Sequence, residues 1–114
     1  MNTHKALGMI GLAARAGKIV SGEFAVEKAV KGRKACLVII AEDASANTKK
    51  KFRNMCDYYR LPCYYFETKE RLGHAIGKEF RASIACVEEN MAKAITGQLE
   101  SANQEYGGNI HVEN

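Results

Sequence analysis

No two of the chain's four cysteines form a Cys-x-x-Cys pair, and its histidines do not gather beside them. Cys36, Cys56, Cys63 and Cys86 are widely spaced, and His4, His74 and His111 lie apart from them. A zinc site needs four ligands brought together, usually announced by close pairs. No metal site is therefore expected, and nothing in the sequence asks for a cofactor. Cys36 and Cys86 sit inside apolar runs and Cys56 on the apolar face of a helix, as reduced thiols buried like small hydrophobes would. No apolar run approaches the roughly 20 residues needed to span a bilayer. The opening "MNTHKALGMIG" has one lysine in an interrupted apolar pattern, unlike a secretory signal. A cytoplasmic protein with no membrane partner is expected. A phosphate loop is missing too, although "GLAARAGKI" comes near one. That motif needs four residues between its first glycine and its Gly-Lys, a Ser or Thr after the lysine, and a strand before it. Here five residues separate Gly11 from Gly17, Ile19 follows Lys18, and Leu7, Ile10, Ala13 and Ala14 before it recur at helical spacing.

What is present suits one globular domain: 114 residues, 46% of them hydrophobic. The formal charge is +4, but it is unevenly placed. All 17 basic residues precede position 97, while Glu100, Glu105 and Glu113 follow it. A basic body of this size suits a polyanionic partner.

Along the chain helices and strands alternate. Residues 3–16 read as a helix, Lys18–Ser21 as a short strand, and "GEFAVEKAVKG" as a helix ending near Gly32. Ala35–Ala41, continuous and β-branched, reads as a strand buried on both faces. In "TKKKFRNMCDYYR", Phe52, Met55, Cys56 and Tyr59 fall at i, i+3, i+4 and i+7, giving a third helix that Pro62 stops. "PCYYFE" is a strand, and "TKERLGHAIG" a helix capped by Thr68 and ended at Gly77. Arg81–Val87 is the last strand, and "EENMAKAIT" a helix with Met91, Ala94 and Ile95 inward. From Gly97 the chain is polar and a tail over 97–114 is expected, after a single domain over 1–96. The predicted fold is a three-layer α/β/α sandwich with a mixed sheet of about four strands and about five helices. No repeat, interdomain linker or oligomerisation element is evident, so a monomer is expected.

The stretch "ARAGKIVSGEFAVEKAVKG" carries the functional argument. At 100° per residue Val26, Ala29 and Val30 share the core face of its helix, and Phe24, Lys28 and Lys31 fall opposite. Aromatics stack on unpaired bases and lysines meet phosphates, the pair of contacts that irregular RNA asks for. Backbone amides at Gly22 and Glu23, opening the helix, are further anion donors. Two readings are open at this point: an RNA edge, or Phe24 folded back as a staple beside a solvated lysine face. Lys18, Arg33 and Lys34 are expected to flank the same edge, while Lys49–Lys51 reads as a solvated face or, failing that, as a widening of the phosphate footprint.

"SGEFAVEKAVKGRKACLVIIAEDAS" followed by "LPCYYFETKERLGHAIGKEFRASIA" resembles the L-seven-Ae kink-turn-binding ribosomal-protein family, most closely its small bacterial YlxQ-type branch, over about residues 4–96. The specific pieces are Gly22 with Lys28 at the right spacing, the "LVIIAED" strand and loop, and "LGHAIGKE". The resemblance implies a non-catalytic RNA-binding protein, ribosome- or rRNA-associated, whose partner is a kink-turn or other structured RNA. Such RNA bends sharply at a bulge beside sheared G·A pairs. The family's second helix opens Gly-x-Asn-Glu-x-x-Lys, with Asn and Glu reading guanine edges and Lys meeting phosphate. Gly22 and Lys28 carry over, Glu42 and Asp43 match the loop after the second strand, and Glu79, Phe80 and Arg81 stand where an apolar loop covers a flipped-out nucleotide. The Asn-Glu pair is replaced by Phe24 and Ala25, with Glu23 a displaced candidate reader. Each lost base contact costs on the order of 1–3 kcal/mol, which stacking on Phe24, worth about 1–3 kcal/mol per base, would offset in part.

Two other classes compete. An enzyme would use Glu42 and Asp43 at a strand end, or Cys63 or Cys86 with His74 as base. One acidic cluster is too few for a receiver-type phosphoacceptor, and His74 beside Leu72, Ala75 and Ile76 reads as a partly buried structural residue. The alternative to RNA binding is a protein-docking module of the same fold, with Phe24 as an exposed hot spot and the basic charge scattered.

Overall fold

The computed structural model describes residues 2–105, and the side chains of residues 4–101. The order is α1 (Asn2–Arg15), β1 (Ile19–Ser21), α2 (Glu23–Lys31), β2 (Leu37–Ile40), α3 (Ala46–Tyr59), β3 (Cys63–Tyr65), α4 (Lys69–Ala75), β4 (Ser83–Cys86) and α5 (Glu89–Glu105). The strands form one mixed sheet in the order β1-β4-β2-β3. β4 runs antiparallel to both β1 and β2, with Ile19 and Leu37 each opposite Cys86, while β2 and β3 are parallel with Val38 opposite Cys63.

β2 and β4 are the apolar, β-branched segments, and every residue of both is buried. That requires cover on two faces. α2 and α3 pack together on one face, and α1, α4 and α5 on the other. The core joins Val26 and Val30 of α2, Phe52 and Cys56 of α3, Ile10 and Ala13 of α1, and Leu72 of α4 across the strands. This is the predicted three-layer sandwich. Helix starts are fixed locally: Ser45 Oγ accepts from Thr48 N, Thr68 Oγ1 from Arg71 N, and Glu88's carboxylate from Asn90 N and Met91 N.

Three details differ from the sequence reading. α5 does not stop at Gly97 but continues through Glu105, and Leu99 is wholly buried. Leu99 repeats the stripe Ala92–Ile95 one turn on, and α1 supplies the surface that covers it. Gly97 lies inside this helix on its exposed side, where nothing depends on a side chain. The expected tail therefore overlaps α5, and its remainder, 106–114, lies outside the described residues. The inward face of α5 is Ala92 rather than Ala94, which is exposed. His74 is exposed, because α4 turns only Leu72 and Gly73 into the core.

Candidate nucleic-acid interface

Because β1, β2 and β3 point one way and β4 the other, one edge of the sheet collects three strand ends and one strand start. These are Ser21 leading into α2, Ile40 into the Glu42–Asp43 loop, Tyr65 into α4, and the 78–82 loop entering β4. The edge is tied together mostly by backbone. Gly22 N donates to Ser83 O at 2.9 Å, Ala41 N to Ala82 O at 2.9 Å, and Glu42 N to Glu67 O at 2.7 Å.

Gly22 makes the turn from β1 into α2 with φ 92° and ψ 157°, a region populated almost solely by glycine. Having no side chain, it caps nothing, so the first-turn amides of α2 stay open to a ligand at the positive end of the helix. Phe24 stands in that turn 80% exposed, which removes the staple reading. Lys28, one turn on, is exposed too, and so is Lys31, which pairs with Glu27 at 2.7 Å.

Glu23, the first residue of α2, is engaged by α3. Its carboxylate meets Lys51 Nζ at 2.7 Å, and the same ammonium reaches Glu27 at 2.7 Å. Lys51, taken from sequence as one of a solvated run, is thus a clamp between α3 and α2. With Asn47, Thr48, Lys50 and Asn54, Glu23 and Lys51 line an open depression of about 450 Å³. Hydrogen bonds from Lys31 first and then from Lys51 hold the Glu27 carboxyl down at about 2.

The acidic loop divides. Asp43 Oδ1 accepts Lys69 N at 2.8 Å, so it anchors the start of α4. Glu42 is exposed as a residue, yet partial desolvation of its carboxyl, followed by the nearby Glu67 carboxylate, raises its pKa.

The 78–82 loop is seated on α4 at Gly73. Lys78 N donates to Gly73 O at 2.8 Å, and a Cβ on Gly73 would lie 2.5 Å from Glu79 O. Arg81 fastens the loop to the α2 side: its Nε donates to Ser21 Oγ at 3.0 Å, its Nη1 to Phe80 O at 2.7 Å, and its N to Lys69 O at 3.0 Å. Glu79 is exposed and Phe80 is 59% exposed. Two uncovered aromatics, Phe24 three residues after Ser21 and Phe80 just before Arg81, thus belong to segments joined by the Ser21–Arg81 link.

Three expected members are elsewhere. Lys18, Arg33 and Lys34 precede β1 and β2, and those strands are parallel, so all three lie at the opposite edge. Val87 N to Lys18 O and Cys36 N to Cys86 O mark that far side. Spacing along the sequence cannot show this, since it depends on β4 entering between β1 and β2 in reverse. Gly73 and Lys51 were missed, although a glycine inside the helical pattern of "KERLGHA" was a signal for a packing role.

Among the described residues no group of three or more His, Cys, Asp or Glu side chains could hold a metal. Burial raises the thiol pKa values of Cys36 and Cys86, the reverse of an activated nucleophile.

The model of the ribosomal protein L7Ae/L30e/S12e/Gadd45 family matches residues 4–96. The chain belongs to that family. It is 41% identical over 92 residues to RNA-binding protein YlxQ of Bacillus subtilis (strain 168), covering 81% of this chain and 92% of that one. It is 39% identical over 99 residues to RNA-binding protein YlxQ of Enterococcus faecium, covering 87% and 95%. A more distant relative is the large ribosomal subunit protein eL8 of Thermoplasma volcanium, 30% identical over 103 residues, covering 86% and 85%. A solved structure of a protein of unknown function from Bacillus halodurans C superposes with a TM-score of 0.82 at 35% identity, covering 84% of this chain and 97% of that one. These matches place the chain in the bacterial YlxQ-type branch of the L7Ae family, a family of RNA-binding and ribosomal proteins, not enzymes. No described helix is long and apolar enough to cross a membrane.

Proposed function

We propose that this L7Ae-family protein binds structured RNA on the edge built from the start of α2 and the 78–82 loop, and that its preferred RNA is a kink-turn, in rRNA or on the ribosome. The observation that carries the reading is that Phe24, three residues past Ser21, and Phe80, next to Arg81, are both uncovered while the Arg81–Ser21 hydrogen bond ties their two segments together beside the open amides after Gly22. Phe24 stacks on an unpaired base where the family's asparagine would hydrogen-bond, Lys28 meets the phosphate one turn along, and Phe80 covers the nucleotide flipped out beside it. The names of the 39–41% identical relatives favour RNA as the partner.

A second reading is a protein-docking module, favoured by the same exposed Phe24 and by Lys18, Arg33 and Lys34 lying away from it. Titration against labelled kink-turn RNA, a version with its G·A pairs made Watson–Crick, and plain duplex, at two salt concentrations, separates the two. Preference for the first RNA supports kink-turn recognition. Equal, steeply salt-dependent binding to all three leaves general phosphate attraction, and binding to none selects protein docking.

A further inference from the structure

The basic residues absent from the first edge are gathered at the other. Lys18 precedes β1, Arg33 and Lys34 precede β2, and Arg60 precedes β3, so parallel strands bring them to one side of the sheet. With neighbouring strands about 4.8 Å apart the row is about 14 Å across. All four side chains are exposed, and none has an ion-pair partner within 4.0 Å among the described residues. Nearby carboxylates are engaged otherwise. Glu88 caps α5, though it lies within electrostatic reach of Lys18, and Glu89 pairs with Lys93 at 3.4 Å. Asp57, one turn before Arg60, is exposed.

Two features set this row apart from an ordinary solvated face. Arg33 and Arg60 both sit in the left-handed region, at φ 58° and 59°, just past the helices, where glycine is the unstrained choice. An aromatic surface also adjoins them. The Arg33 guanidinium lies 5.2 Å from the Tyr59 ring, Tyr58 meets that ring edge-on at 4.9 Å, and Tyr58 is 78% exposed.

We infer that this far edge is a second RNA-contacting surface, which takes the phosphate backbone of a segment other than the one at Phe24, so that the protein bridges two stretches of one structured RNA. The inference rests on the RNA-binding reading above. The nine residues of α2, about 14 Å of helix, separate the two edges.

The test compares the full chain with a variant carrying Lys18→Gln, Arg33→Gly, Lys34→Gln and Arg60→Gly, in which glycine suits both left-handed positions and keeps the fold. The probes are a minimal kink-turn hairpin and the same motif with both stems lengthened, each titrated over a salt series. For the long RNA, the slope of log affinity against log salt should fall by about 3 in the variant, from ~0.7–0.9 per lost phosphate contact. The hairpin should bind the variant as it binds the native chain. An unchanged slope on the long RNA, with a native melting profile, overturns the second surface alone. Failure of the native chain to bind either RNA overturns both readings. If Arg60→Gly by itself unfolds the protein, the arginine is structural and the inference falls.

Discussion

Replacing Gly73 by alanine should separate the stability of this fold from the shape of its binding edge. The new Cβ would stand 2.5 Å from Glu79 O, 2.7 Å from Glu79 C and 2.9 Å from Phe80 N, all backbone atoms that no side-chain rotation can move aside. Ordinary contact begins near 3.4 Å, so the loop must retreat by about 0.9 Å. Overpacking of this kind costs about 1–3 kcal/mol, and alanine returns about 1 kcal/mol of helix propensity within α4. The net loss of stability is then about 0–2 kcal/mol, small enough for the domain to stay folded. The retreat also stretches the 3.0 Å bond from Arg81 to Ser21 past 3.5 Å and carries Phe80 off its position. Losing one base stack, at about 1–3 kcal/mol, weakens RNA binding by roughly 5- to 150-fold. Urea unfolding read by circular dichroism, beside RNA titration of the same preparation, gives both numbers. Native stability together with native affinity would mean that the loop yields without consequence and does not set the position of Phe80.

The buried end of α5 and the clamp on α2 give two further outcomes. Leu99→Ala should cost about 2–5 kcal/mol, as for other leucines truncated in a core. Were residues from 97 onward a solvated tail, urea unfolding would move by less than about 0.5 kcal/mol. Lys51→Met should lower the melting temperature slightly at neutral pH, with the sign of the pH effect fixed by its partners. Glu27's folded pKa lies below its ordinary 4.5, so the contribution is complete above that value and fades as pH falls towards about 2. Lys51's is raised above its ordinary 10.5, so the same contribution fades only at higher pH. Melting curves should therefore differ between native and variant on a plateau from pH 4.5 to 10.5 and converge towards pH 2. An equal difference at pH 2 and pH 7 would exclude the ion pairs as its source.

The layered fold was legible because its strands and helices have different periods. The run around Leu37–Ile40 is too short for a helix and apolar throughout, and Phe52, Met55, Cys56 and Tyr59 mark a helix face that the packing keeps. Helical phase set Phe24 opposite the core face but left open whether its ring folds back as a staple, and the packing leaves it uncovered. What could not be read is what tertiary pairing decides. Strand order sends Lys18, Arg33 and Lys34 to the far edge, and α1 shelters Leu99 and so extends α5 over a stretch whose composition is polar. Lys51 looked like one of three equivalent lysines, and only the closeness of α3 to α2 makes it a clamp.

Whether RNA docks where Phe24 stands uncovered is decided by titrating native protein and Phe24→Ala with a labelled kink-turn RNA and its Watson–Crick control. The side chain is 80% exposed and supports no packing, so the variant should melt as the native protein does. The native chain should prefer the kink-turn, and the variant should lose roughly 5- to 150-fold in affinity for it, the equivalent of one base stack of about 1–3 kcal/mol. Equal binding of the kink-turn by native protein and variant, or none by either, would contradict docking at Phe24.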